Sequence, residues 1–158
     1  LAARQYAIDN AHRIKGLGKN SWGMSASISP TSGYSGHYGS YPIGTGYKLL
    51  EDGTVAPYGA LSFLPFTPEE TISALKYMYT IPGLIGKYGL YDAYSYKTKV
   101  QGNQPWIAKS YLGIDKGLVL LMFENYSTQL IWKLLHQNKY IKKGLKTLEF
   151  TTTENVVK

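Results

Sequence analysis

"IDKGLVLLMFENY", residues Ile114 to Tyr126, is the stretch on which the fold turns. Every residue from Leu118 to Phe123 is apolar, so a helix through them has no polar side. A surface helix shows charged or polar residues on one face, and a helix that lacks them must be covered all round. The run therefore predicts a buried helix that starts near Asp115, a plausible N-cap, and reaches about Gln137. Asn125, Gln129, Lys133 and His136 open a polar side only in its second half. The apolar run falls far short of the roughly 20 residues that span a bilayer, so no membrane span is expected.

Working outward, "FTPEETISALKYMY" (Phe66 to Tyr79) gives the clearest local signal. Thr67 suits an N-cap, Pro68 suits the first helical position, and Glu70 completes a capping box. Ile72, Leu75 and Tyr79 line one face, and Pro82 and Gly83 end the helix. Ala3, Ala7, Ala11 and Ile14 recur at helical spacing over residues 2–15, before Gly16 and Gly18. A weak last helix is expected over Tyr140 to Leu145, and "LEFTTTENVVK" reads as a short strand or a tail. Between these, residues 16–65 and 83–99 show no sustained period and read as long Gly- and aromatic-rich loops. Three helices cannot cover the apolar run on all sides. An all-α domain with further helices, from a longer chain or a partner, is expected.

The chain has 158 residues, the size of one domain, and 44% apolar with 17% charged residues is globular rather than disordered. Fifteen tyrosines against four phenylalanines favour half-wet surfaces over a dry core. The net charge is +7, yet the only dense basic cluster is "KYIKKGLK", Lys139 to Lys146. Such a run most often marks a solvated helix face, so no nucleic-acid partner is expected. There is no cysteine for a disulfide or thiolate site. The chain opens on helix-like "LAARQYAIDNAHRI" without Met or signal peptide, and reads as a piece of something longer.

His12, His37 and His136 share no metal-ligand spacing, and neither a GxSxG elbow nor a phosphate-cradling loop is present, so no metal or cofactor is expected. The carboxylates are more informative. Asp52 lies in the turn "EDGT", Asp92 sits among tyrosines in "YGLYDAY", Asp115 opens the apolar helix and Glu124 falls inside it. A carboxylate at that last position needs a partner. Trp22, Tyr34, Tyr58, Tyr88, Tyr91 and Trp106 stand in the loops. Aromatic faces beside acids are what a pyranose requires: rings stack on its C–H faces and carboxyl groups bind its hydroxyls. Two carboxyl groups across a glycosidic bond can also cleave it.

The order of the blocks is more specific than their composition. "NSWGMSAS", "DGTVAPYGALSFLPFTPEE", "GKYGLYDAYS" and "YLGIDKG…LLMFENY" resemble, in sequence, the blocks of the glucoamylase-like domain, glycoside hydrolase family 144 and its relatives. The resemblance covers nearly the whole chain. It implies that residues 1–158 are the C-terminal portion of an (α/α)6 toroid, its N-terminal part absent, whose long loops build a glucan cleft. It further implies a hydrolase of β-1,2-glucan type, periplasmic or extracellular, with an oligo- or polysaccharide as partner. On that footing Trp22, Tyr34, Tyr58 and Tyr88 would wall the cleft, while Asp92, Asp115 and Glu124 would bind hydroxyls or support the catalytic groups. No residue is assigned as catalytic, because the acidic segment that the family carries upstream is not in this chain. Ile28 stands where the family carries an acid, and Lys116 where it carries glutamine. The alternative they imply is a non-catalytic carbohydrate-binding or degenerate paralogue.

Overall fold

The computed structural model describes residues 2–31, 33–36, 52–99 and 103–150. Contacts divide the chain into two compact units, Leu1–Phe123 and Glu124–Lys158. The first holds α1 (Ala2–Asp9), β1 (Ser27–Ser29), β2 (Gly33–Ser35), β3 (Thr54–Val55), α2 (Pro57–Leu61) and α3 (Pro68–Tyr79). It continues with β4 (Ile85–Gly86), β5 (Gly89–Leu90), β6 (Ala93–Lys99), β7 (Pro105–Ala108) and the larger part of α4 (Gly113–Ser127). The second holds the end of α4 with α5 (Leu130–Gln137) and α6 (Lys139–Thr147).

The expectation of an all-α chain, part of an (α/α)6 toroid, does not hold. Six helices alternate with seven strands among the described residues, a mixed α/β arrangement. The strands form three antiparallel sheets, ordered β1-β2, β3-β6-β7 and β4-β5. The central strand β6 lies in a stretch read as loop. Its partners are remote in sequence: Val55 faces Tyr94, and Ala93 faces Ala108. Ala93, Tyr94 and Ser95 are all buried, so the alternation that betrays a half-exposed strand is missing.

Local signals fared better. α3 starts at Pro68 as expected, but Thr67 does not cap it: its Oγ1 lies 3.3 Å from Thr71 Oγ1. The expected capping box is therefore not formed. α1 stops at Asp9, and residues 10–16 continue as turns. The long second helix is two helices, broken where Gln129 takes a left-handed φ of 60°. α6 extends the expected last helix at both ends, with Asn138 Oδ1 accepting from Tyr140 N at 2.9 Å. The expected strand or tail after Leu148 falls mostly outside the described residues, as do His37 and much of the loop before Asp52.

Nor is the apolar run of α4 enclosed by the described residues: Leu120 is 70% exposed, and only Val119 and Phe123 pack against the core. None of the helices among the described residues is long and apolar enough to cross a membrane. The core of the first unit gathers Trp22, Val55, Met78, Leu84 and Tyr94, each fully or almost fully buried. Two glycines let its parts close. Gly23 has φ +115°, and a Cβ there would lie 2.7 Å from the Ala56 carbonyl oxygen; one on Gly59 would lie 2.8 Å from the Gly23 oxygen. Ala56 N donates to that same Gly23 oxygen at 3.0 Å. The backbones before β1 and in α2 thus touch directly. Gly23→Ala is expected to cost about 2 kcal/mol, from left-handed strain plus overpacking, read as a lower urea midpoint at unchanged m-value.

Candidate functional site

Asp92 sits between β5 and β6, and its backbone N donates to Ser110 O at 3.0 Å, which fixes it to the segment after β7. Asp115 belongs to the first turn of α4. Both are buried, and Asp92 stands close enough to Asp115 to raise its carboxyl pKa. Asp92 Oδ2 also accepts from the backbone N of Ile28 at 2.8 Å. Asp92 Oδ1 and Asp115 Oδ2 have no hydrogen-bond partner among the described residues.

Burial, and next the neighbouring Asp92, push the Asp115 carboxyl up to about 7. A carboxyl in that condition keeps a proton at a pH where an ordinary one has lost it. Lys116 stands beside the pair; burial lowers its ammonium pKa, while Asp92 and Asp115 act in the opposite direction. Its Nζ donates to the Leu90 carbonyl and lies 5.5 Å from the centre of the Tyr111 ring. The site therefore offers an acid pair with a cation at its edge, and the cation is anchored to β5.

A cavity of about 310 Å³ opens on these groups, within the first unit. Tyr58, Tyr79, Tyr88 and Tyr91 wall it together with leucines of α2 and α3. Its size and its mix of apolar wall and few charged groups suit a small polar ligand. The wall is held in place. The Tyr58 hydroxyl is hydrogen-bonded to Ser25 Oγ at 2.7 Å and to Ala26 O at 3.0 Å. Tyr111 packs on Tyr91 at 5.0 Å and edge-on to Tyr88 at 5.4 Å, and its hydroxyl accepts from Tyr88 N at 3.2 Å. Gly86 makes this possible: a Cβ there would collide with the Tyr111 hydroxyl and the Tyr91 ring.

Of the residues expected at a cleft, Tyr58, Tyr88, Asp92 and Asp115 come together on this cavity. Trp22 does not; it is 1% exposed and lies in the core, with no ring face open to a ligand. Tyr34 is exposed on β2, opposite Ile28, and is not among the lining residues. Glu124 lies in the second unit, where Thr128 Oγ1 donates to its Oε1 at 2.6 Å. Asp52 is a turn residue, accepting from Thr54 N at 2.9 Å and Ser29 Oγ at 3.0 Å. Trp106 is half-buried on β7. The described residues hold no group of three potential metal ligands. Tyr79 and Tyr111 were not foreseen at the site, Tyr79 because its spacing in α3 matches a core face. Lys116 stood out only as a departure from the family pattern.

Comparison with known proteins adds names to this geometry. A family model described as "Putative glucoamylase" matches residues 1–139. An exo-β-1,2-glucooligosaccharide sophorohydrolase (non-reducing end) of Parabacteroides distasonis is 29% identical over 148 residues, 92% of this chain and 19% of that protein. The crystal structure of a "putative glucoamylase" from Bacteroides uniformis is 37% identical, with a TM-score of 0.74 over 91% of this chain and 32% of its own. An endo-β-1,2-glucanase from Chitinophaga pinensis, solved with sophorotriose and glucose, is 35% identical, with a TM-score of 0.72 over 92% and 32%. The chain thus spans from about a fifth to a third of these relatives' length. The match is set against their N-terminal part, not the C-terminal portion expected from the order of the blocks.

Proposed function

This chain belongs to the family described as "Putative glucoamylase", and from that premise we propose that it forms part of a glycoside hydrolase acting on a β-1,2-glucan. The observation that carries the reading is the buried Asp92–Asp115 pair, two of whose oxygens lack partners beside a tyrosine-walled cavity. Glucosyl hydroxyls complement those oxygens, and pyranose faces complement the Tyr58 and Tyr88 rings. A protonated Asp115 donates a hydrogen bond, while Asp92, held by the Ile28 amide, accepts one. The names of the relatives above, a sophorohydrolase and a β-1,2-glucanase, support the linkage. The proposed place of action is periplasmic or extracellular; fractionation of producing cells checks it.

Titration of the chain with sophorose and longer β-1,2-linked oligosaccharides, followed by calorimetry, tests the reading. Saturable binding is expected, with Tyr88→Ala weakening it about fivefold through loss of a stacking face. If none of these oligosaccharides binds, the proposal is wrong. One observation favours a second reading, carbohydrate binding without turnover. At position 28, where the resemblance implies an acid, the side chain is isoleucine, so the residue whose amide meets Asp92 brings no carboxyl to the site. Binding without release of reducing sugar from β-1,2-glucan would select this reading over hydrolysis.

A further inference from the structure

The second unit carries a surface that the glucan reading leaves unused. α6 (Lys139–Thr147) begins where the family-model match ends at residue 139, and the alignments with the relatives, over 91–92% of the chain, reach into it. At 3.6 residues per turn, Lys139, Lys142, Lys143 and Lys146 fall within an arc of about 100°. Ile141 and Leu145, both half-buried, fall on the opposite side with the exposed Leu148. The helix is real in its own terms, because Asn138 accepts from the N–H groups of Tyr140 and Ile141 at its start. Neither α5 nor α6 contains a buried residue. Leu148 and Phe150, just past α6, are 70% and 68% exposed. From Glu124 to Phe150 five lysines face two glutamates in the count of charges.

We propose that α6, with Leu148 and Phe150, docks this chain on an anionic phospholipid surface. The helix lies in the interface plane, with Leu148 and Phe150 toward the acyl chains and its lysines reaching the headgroup phosphates. Charge complementarity selects the partner's sign. The exposed apolar residues select its class: a nucleic acid would satisfy the lysines but leave Leu148 and Phe150 in water, whereas a bilayer takes both. Long lysine stems allow this, since the methylenes cover apolar surface while the ammonium group stays wet. Each basic residue near such a surface adds about fivefold in affinity, an effect that fades within a Debye length.

The test is co-sedimentation of the 158-residue chain with vesicles of phosphatidylcholine alone, or with one third phosphatidylglycerol. Partitioning is expected only with phosphatidylglycerol present, and it should weaken as sodium chloride is raised. Lys142→Glu/Lys146→Glu should reduce it at least tenfold, and so should Leu148→Asp/Phe150→Asp. Lys19→Glu/Lys76→Glu, the same charge change on exposed residues of the first unit, should alter it less than twofold. No partitioning, or an equal loss with the first-unit variant, overturns the proposal. Retention on DNA or heparin that depends on the lysines but ignores Leu148 and Phe150 also overturns it, in favour of a soluble polyanion.

Discussion

Wild-type affinity for sophorose is expected to fall about tenfold between pH 6 and pH 8, and Asp115→Asn should abolish that fall. The proton in question is the one on Asp115. Burial and the adjacent Asp92 set the Asp115 carboxyl at about 7, far above its ordinary 3.8. Below that value Asp115 keeps its proton and can donate a hydrogen bond. Above it, Asp115 becomes a buried negative charge beside Asp92, with Lys116 the nearby cation and Tyr58, Tyr79, Tyr88 and Tyr91 the titratable residues of the wall. A sugar that closes the cavity removes more water from those charges, so it favours the protonated form and loses affinity when the proton leaves. Asparagine mimics that form, an amide donor beside a carbonyl acceptor, and cannot ionise. Its binding should stay within about threefold of the wild type at pH 6 and remain flat to pH 8.

The same shift fixes the sign for stability. Asp115 has its folded value raised, so its contribution is fully present below about 3.8 and is lost as pH rises through about 7. Relative to Asp115→Asn, the wild-type melting temperature should therefore decline from pH 4 to pH 7. At pH 8 the variant should equal or exceed the wild type, because it lacks the repulsion with Asp92. A wild-type affinity that is flat across pH 6 to 8, with parallel melting curves for both proteins, would refute a protonated Asp115.

What was legible in the sequence follows from how local each signal is. Thr67 to Gly83 contains its own start, face and stop, and α3 matches it closely. β6 is different. It exists because Thr54, Val55 and Pro105–Ala108 pair with it, and no window of the chain contains both sides of that ladder. The break at Gln129 has no glycine or proline to announce it; Asn125 stabilises the new start by accepting from Trp132 N at 3.1 Å. At the site, Asp92 and Asp115 were visible because acids among aromatic or apolar neighbours need partners. That the two meet at one cavity was not, since Asp92 is placed by Ser110 and Ile28 and Asp115 by the start of α4. The apolar run of α4 was visible as well, but its partial exposure shows that apolar patterning reports a need for cover without saying which residues supply it.

Trp22 separates composition from packing most sharply. A tryptophan between Ser21 and Gly23 looks like a sticky loop residue, yet those small neighbours are what let it turn inward. Gly23 lies against Ala56 and Ala60, and Ser21 Oγ is hydrogen-bonded to the Tyr94 hydroxyl at 2.7 Å deep in the core. Phe63 meets the indole at 6.2 Å in a tilted arrangement. Trp22→Ala should accordingly cost about 3–5 kcal/mol, through lost burial and the cavity left behind, read as a large drop in the urea midpoint. Trp22→Phe should cost far less, about 1–2 kcal/mol. The indole Nε1 has no hydrogen-bond partner among the described residues, so the phenyl ring forfeits volume but no hydrogen bond there. Sophorose affinity of the Phe variant should stay within about twofold of the wild type. A tenfold loss of affinity with the midpoint unchanged would instead place Trp22 against the sugar.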